Sequence, residues 1–242
     1  MVKKGELLYG GKAKTVYRSD EPGCLVMEFR DDITAFDGGK KNVLKGKGTY
    51  NTCVSSFFFE MLEDHGIPTH FVRTLDRHTL LVRSLSMIPL EVIVRNLAAG
   101  SLVRNLPFRE GQEFKPPVIV IDLKDDSRHD PMLNDDLILA LGIVTGEELC
   151  TIKDLALRTN EILKEFLAGK GIVLVDFKLE FGKVGEKIVI GDEISMDSMR
   201  LWEAGTRKSL DKDVYRFDKG DVIGTYQEVA YRITGSRCEV EI

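Results

Sequence analysis

The chain has 242 residues, 43% of them apolar and 30% charged, and its 39 acidic and 34 basic side chains leave a formal charge of −5. That balance describes a folded protein with a sizeable core, in one large domain or two lobes. It argues against a disordered chain and against a non-specific nucleic-acid coat, which needs a basic footprint. No apolar run approaches the roughly 20 residues of a membrane-spanning helix, and the opening MVKKGELLYG lacks the apolar stretch of a secretory signal.

The first third reads as strand-rich: β-forming runs at residues 7–9, 15–17, 25–29, 70–74 and 79–83 are separated by Gly, Pro or Asp. One helix interrupts them, with Cys53, Val54, Phe57, Phe58, Met61 and Leu62 at helical spacing and Gly66 as its stop. The middle third opens with strands over 90–95 and 118–123. A long helix follows, entered through a capping box of Thr145 and Glu148 and closed by Gly169 or Gly171. Strands over 172–181 and 187–192, joined by a turn over 182–186, form a hairpin. The last third reads as helical, with Val222, Tyr226, Val229 and Ile233 on one face up to Gly235. This order predicts an α+β protein of two lobes, a β-rich one over 1–84 and a larger α+β one over 85–242. The four cysteines, Cys24, Cys53, Cys150 and Cys238, form no CxxC pair and read as reduced thiols of a cytosolic protein.

Chemistry concentrates in the hairpin. Val173, Val175, Phe177, Leu179 and Phe181 alternate with Asp176, Lys178 and Glu180, so the three charged side chains project from one face. A solvated face with two incidental salt bridges is the plain alternative. The partner strand is apolar at both parities through Ile190, as in a doubly covered sheet, and then ends in Asp192 and Glu193. A hairpin can bring Glu180 and Asp192 together, and two carboxylates beside a phosphate chain suit Mg²⁺. Gly10 and Gly11 precede Lys12 and Lys14, which could fold over polyphosphate or merely form a hairpin with solvated lysines. The segment is neither a Walker A loop nor GxGxxG. Glu91 and Arg95 share a strand that runs into Ala98, Ala99, Gly100 and Ser101, either an anion site at a helix start or a turn with Ser101 as N-cap. Residues 124–136, with His129 and Asp130, read most simply as a solvated loop. Arg200 could bind phosphate or pair with Asp192 and Asp197. No zinc motif and no nucleophile–histidine arrangement occurs.

Assembled in order, GKAKTVY at 11–17, MIPLEVIVRNLAAGS at 87–101, KDDSRHDP at 124–131, LVDFKLEFG at 174–182 and GDEIS at 191–195 resemble the SAICAR synthetase family over essentially the whole chain. The resemblance implies a two-lobed fold similar to ATP-grasp enzymes and protein kinases, with nucleotide in the cleft between lobes. It implies ATP-driven ligation of L-aspartate to 5-amino-1-(5-phosphoribosyl)imidazole-4-carboxylate (CAIR), through an acyl phosphate, in purine biosynthesis. It further implies Mg²⁺, a cytoplasmic location, a homodimer, and neither nucleic-acid nor membrane partners. By the same resemblance Lys12, Ala13 and Lys14 hold ATP phosphates, while Val16, Met87 and Ile190 border the adenine. Glu180 and Asp192 bind the metal. Glu91, Arg95, Ser101 and Arg200 serve CAIR, the last three at its phosphate. Asp176 and Lys178, as catalytic residues, face the ribose or the reacting carboxylate, with Lys178 stabilising charge at the acyl phosphate. Lys124 is assigned to ATP and, with His129 and Asp130, to the aspartate pocket. Two other classes fit parts of the pattern. A small-molecule kinase would need no added amine, and a nucleotide sensor would bind ATP without turnover.

Overall fold

In the computed structural model, which describes residues 2–35 and 39–238, the β-forming runs of the first third build an antiparallel sheet. Its strands are β1 (Lys4–Gly10), β2 (Lys14–Ser19) and β3 (Cys24–Phe29), then, after an excursion, β6 (Phe71–Asp76) and β7 (Thr79–Arg83), in the order β1-β2-β3-β7-β6. The excursion holds a small two-stranded sheet, β4 (Asp32–Ala35) with β5 (Lys40–Val43), and helix α1 (Lys47–Asp64). The carboxylate of Asp31 accepts the amides of Gly46 and Gly48 at the start of α1, where no side chain of the helix itself caps it. Gly48 is required there, because a Cβ would lie 2.7 Å from the carbonyl oxygen of Phe29.

The second sheet begins with β8 (Ser86–Leu97), followed by the short α2 (Ser101–Asn105), β9 (Glu113–Leu123) and β10 (Met132–Leu133). Helices α3 (Asp135–Ala140) and α4 (Gly146–Ala168) lead to β11 (Ile172–Val184), β12 (Lys187–Gly191) and β13 (Met199–Glu203). Helices α5 (Asp213–Arg216) and α6 (Val222–Thr234) and a 3₁₀ turn over 235–238 complete the described chain. The strand order is β10-β9-β8-β11-β12, with β13 also on β11. Both expected α4 features are present: the Thr145–Glu148 capping box and Gly169 as C-cap. Helix α4 packs on β11, β8 and β12, so the other face of this sheet is left for a cleft. The two sheets are stitched where the amide of His70 donates to the Ile190 carbonyl (2.8 Å) and the amide of Ile190 to the Pro68 carbonyl (3.0 Å). Among the described residues, no helix is long and apolar enough to cross a membrane.

Four expectations need correction. The hairpin turn is only Gly185 and Glu186, because β11 runs on to Val184 and pairs it with Lys187. The single alternation read along β11 is broken by an irregularity between Leu174 and Asp176. Ile172 and Leu174 therefore join Phe177, Leu179 and Phe181 in the main core, whereas Val173 and Val175 pack in a separate cluster with Ala99 and Trp202. The loop over 124–136 is partly ordered: Asn134 caps α3 by accepting the amide of Leu137, and Asp135 and Asp136 occupy its first turn. Finally, Cys53 and Cys238 form a disulfide across 185 residues of sequence, leaving Cys24 and Cys150 free. The pairing arises because α6 and the turn after it lie against α1, a juxtaposition that no cysteine spacing encodes.

Candidate active site

Strand β11 sets the site by register. Asp176 stands opposite Arg95 of β8 on one side and Arg200 of β13 on the other. Its carboxylate, 5% exposed, accepts from Arg95 Nη1 at 2.7 Å and Arg200 Nη1 at 2.9 Å. The second guanidinium nitrogen of Arg95 donates to Ser101 Oγ at 3.0 Å, and Arg200 Nε donates to Asp213 at 2.9 Å. Arg200 thus pairs with carboxylates as one expectation held, but with Asp176 and Asp213 and not Asp192 or Asp197. Ser101 is the first residue of α2, and its N-cap is Gly100, at φ 59°, so Ser101 is no cap. A Cβ on Gly100 would lie 2.5 Å from the Arg200 guanidinium, so only glycine lets the backbone pass so close.

Four residues along, the pattern changes sign. Glu180 faces Glu91, which in turn faces Asp122 of β9, a row of three carboxylates across three strands. Like charges in such positions repel. Lys178 relieves the repulsion by donating diagonally to Glu91 (2.6 Å) and along its own strand to Glu180 (2.9 Å), and Lys124 binds the other Glu180 oxygen. Burial would lower the Lys178 pKa, but Glu180 and Glu91 more than reverse this and hold the ammonium charged. Asp122 is relieved less: burial and the charge of Glu91 push its pKa up to about 6 against the opposing pull of Arg95 and Lys178.

At the end of the hairpin, Asp192 adopts a left-handed backbone (φ 58°), and Lys14 of β2 donates to both Asp192 and Glu193. The expected lysine of the first loop therefore reaches the expected carboxylate of the hairpin across 178 residues of sequence. Burial raises the Asp192 pKa, but Lys14 and Lys178 outweigh it and hold the carboxyl far below the usual range. Lys12 pairs with Asp126 at 3.0 Å at the exposed edge of the same cleft. Met87 is 48% exposed beside Gly191, Val16 is half-buried on β2, and Ile190 is fully buried with its backbone committed to joining the sheets. Ala13 offers its carbonyl to the amide of Arg30. His129 and Asp130, both with left-handed backbone, follow the 3₁₀ turn at 126–128, where Asp130 accepts the amide of Asp125.

Between these groups lies a cavity of about 370 Å³, bordered by Lys12, Glu91, Arg95, Ser101, Asp176, Lys178 and Arg200. It also touches residues that sequence reasoning missed. Asp197 at its floor accepts from Lys47 of α1 (2.7 Å) and Tyr226 of α6 (2.6 Å), a buried triad from three distant segments. Lys212 and Arg216 complete the wall, Arg216 bound to Asp213. No local pattern pointed to these: Lys47 and Lys212 stand among other charged or glycine residues. Their partners were too remote to read. His129 and Asp130 do not border this cavity.

A family model for SAICAR synthetase matches residues 7–233. The chain is 65% identical over 233 residues to the phosphoribosylaminoimidazole-succinocarboxamide synthase of Methanoregula boonei, covering 96% of this chain and 91% of the relative. It is 62% identical to the enzyme of the same name from Methanoculleus marisnigri, covering 96% of each chain. A solved SAICAR synthetase in complex with ADP superposes with a TM-score of 0.92 at 52% identity, covering 95% of this chain and 98% of that one.

Proposed function

The chain belongs to the SAICAR synthetase family, and from that premise we infer how its cleft divides the ligation between named residues. It is an ATP-dependent ligase of purine biosynthesis. The break at 84–85, where one sheet ends and the other begins, supports the division into an ATP-binding lobe over 1–84 and a substrate lobe over 85–242. The similar protein solved in complex with ADP supports nucleotide in the cleft between them.

A carboxylate is a poor electrophile, so ATP must convert the CAIR carboxylate to an acyl phosphate before the amine of L-aspartate can attack. In the first step a carboxylate oxygen attacks the γ-phosphorus and ADP leaves; in the second the amine attacks the acyl carbon, phosphate leaves and the amine proton is lost. Both steps join anions, so catalysis depends on positioning and charge compensation. Arg95, Ser101 and Arg200 receive the phosphate end of CAIR. Asp176, between the two arginines, fixes their planes so that donors face the cavity. Lys178 stabilises charge at the reacting carboxylate, and Lys14 and Lys12 serve the ATP phosphates. The observation that carries this reading is the position of Lys178 on β11, between the Arg95–Asp176–Arg200 trio and the Glu180–Asp192 end.

Glu180 and Asp192 fit Mg²⁺ by donor chemistry. They are hard oxygen donors, both already surrounded by ammonium groups, and Asp192 is held ionised. Among the described residues, no group of three or more His, Cys, Asp or Glu is arranged for a metal. That suits an ion held by one or two carboxylates and completed by phosphates. When bound, the ion would neutralise charge on the transferred phosphoryl group. A cytoplasmic homodimer completes the reading, its location resting on the reaction because the disulfide removes the argument from reduced thiols. The test is ADP release with ATP, CAIR and L-aspartate, each omitted in turn. Release must require all three for a full turnover, and turnover indifferent to the amine would overturn the ligase reading.

A further inference from the structure

Most cations bordering the cavity are already bound to the protein's own carboxylates. Arg95 and Arg200 flank Asp176, Arg216 holds Asp213, and Lys178 holds Glu91 and Glu180. Lys212 differs. It sits half-buried at the entry to α5, lines the cavity beside Asp197 and Ser198, and among the described residues its ammonium makes no hydrogen bond or ion pair. The carboxylates nearest in charge are engaged elsewhere: Asp197 with Lys47 and Tyr226, Glu193 with Lys14 and Ser195. Burial depresses the Lys212 pKa, Asp197 offsets part of that, and Arg216 and Lys47 add repulsion. Holding an ammonium away from water without a partner costs free energy. Sites that bind ligands are where folds tolerate such a cost. Arg104, another lining cation, lies exposed and bears no comparable cost.

The anion that Lys212 awaits follows from the ligase reading above, on which this inference rests. The substrates bring three anionic groups besides ATP: a phosphate, the reacting carboxylate and the carboxylates of the amine substrate. The first two have their cations in Arg95, Arg200 and Lys178. Ser198 links the wall of Lys212 to the reacting centre, because its carbonyl accepts the backbone amide of Lys178 at 2.8 Å. We propose that Lys212 receives a carboxylate of the amine substrate and so makes the site selective for an acidic amino acid. Lys212 is then a specificity-determining residue that leaves the activation of CAIR untouched.

Steady-state kinetics of wild type, Lys212→Met and Lys212→Arg with each substrate varied in turn decide the matter. Loss of one charge-assisted hydrogen bond predicts a KM for L-aspartate raised about 10- to 100-fold in Lys212→Met. Lys212→Arg should recover most of it, and KM for ATP and CAIR should stay within about twofold of wild type in both. An unchanged KM for aspartate, or a rise that falls on CAIR instead, overturns the assignment. If wild type itself needs no aspartate for turnover, the ligase reading fails, an outcome distinct from failure of Lys212 alone. Should Lys212→Met not fold, as judged by thermal unfolding, Lys212→Gln keeps a polar hydrogen-bond donor without the charge and gives the same decision.

Discussion

Replacing Lys47 by Met strips Asp197 of the cation it is hydrogen-bonded to, and the structure sets the size of the effect. The pair is 2.7 Å apart with side chains only 1% and 4% exposed, so solvent screens it little. Breaking a buried ion pair from one side leaves an uncompensated charge and costs about 3–5 kcal/mol, a large part of the roughly 5–15 kcal/mol that holds a domain folded. The loss should depend on pH. In wild type, burial raises the Asp197 pKa but Lys47 and Lys212 overcome it, so the folded carboxyl titrates below its unfolded counterpart. That contribution is present above the unfolded pKa and lost as pH falls through the folded one. In Lys47→Met, burial dominates and the folded pKa moves above the unfolded value. The variant should therefore regain stability relative to wild type as pH falls from 7 towards 4. Urea unfolding of both proteins across that range measures it. A cost below about 1 kcal/mol at pH 7, or a gap that widens on acidification, would refute the reasoning.

Asp192→Asn should reduce ADP release by about 100-fold or more, with native circular dichroism, if that carboxylate helps hold the ion that would neutralise the transferred phosphoryl group; wild-type turnover would remove it from the metal site. Gly100→Ala must strain a backbone at φ 59° and push on the Arg200 guanidinium. It should raise KM for CAIR roughly tenfold, on the scale of one lost charged hydrogen bond, with KM for ATP unchanged. His70 is buried, and desolvation lowers its pKa to about 4. The unfolded chain therefore binds its proton first, and stability should fall as pH drops from about 6.5 to 4, by about 3 kcal/mol. His70→Gln should flatten that part of the stability–pH curve.

What could be read from the sequence was local periodicity backed by an end signal. Helix α4 combined an apolar face with a capping box and stands where expected; β11 and β12 combined apolar strands with a glycine turn, and the hairpin is present with β11 longer and the turn shorter than expected. The charged face of β11 was legible because three side chains recur at spacing two. Its flanking arginines were not legible as a trio, since only the register of β8 and β13 places Arg95 and Arg200 on either side of Asp176. Strands β4 and β5 escaped because they are four residues each, with Asp32, Lys40 and Lys41 diluting the pattern. The start of helix α3 was read as the end of a loop over 124–136, although Asn134 and two aspartates announced it. The Lys47–Asp197–Tyr226 triad and the Cys53–Cys238 link had no local signal, because helix packing alone brings them together.

The triad at the cleft floor also constrains the order in which the chain can mature. Lys47 lies near the start of α1, and its carboxylate partner follows 150 residues later. On the ribosome, the first sheet and α1 emerge while Asp197 is still untranslated. Until it arrives, that end of α1 can stay hydrated only by remaining undocked, because burying Lys47 alone would strand a charge. Tyr226, emerging later still, supplies the second hydrogen bond to Asp197. The half of the molecule made first is therefore finished by the half made last, and a nascent chain halted before residue 197 should display α1 as an accessible, protease-sensitive segment.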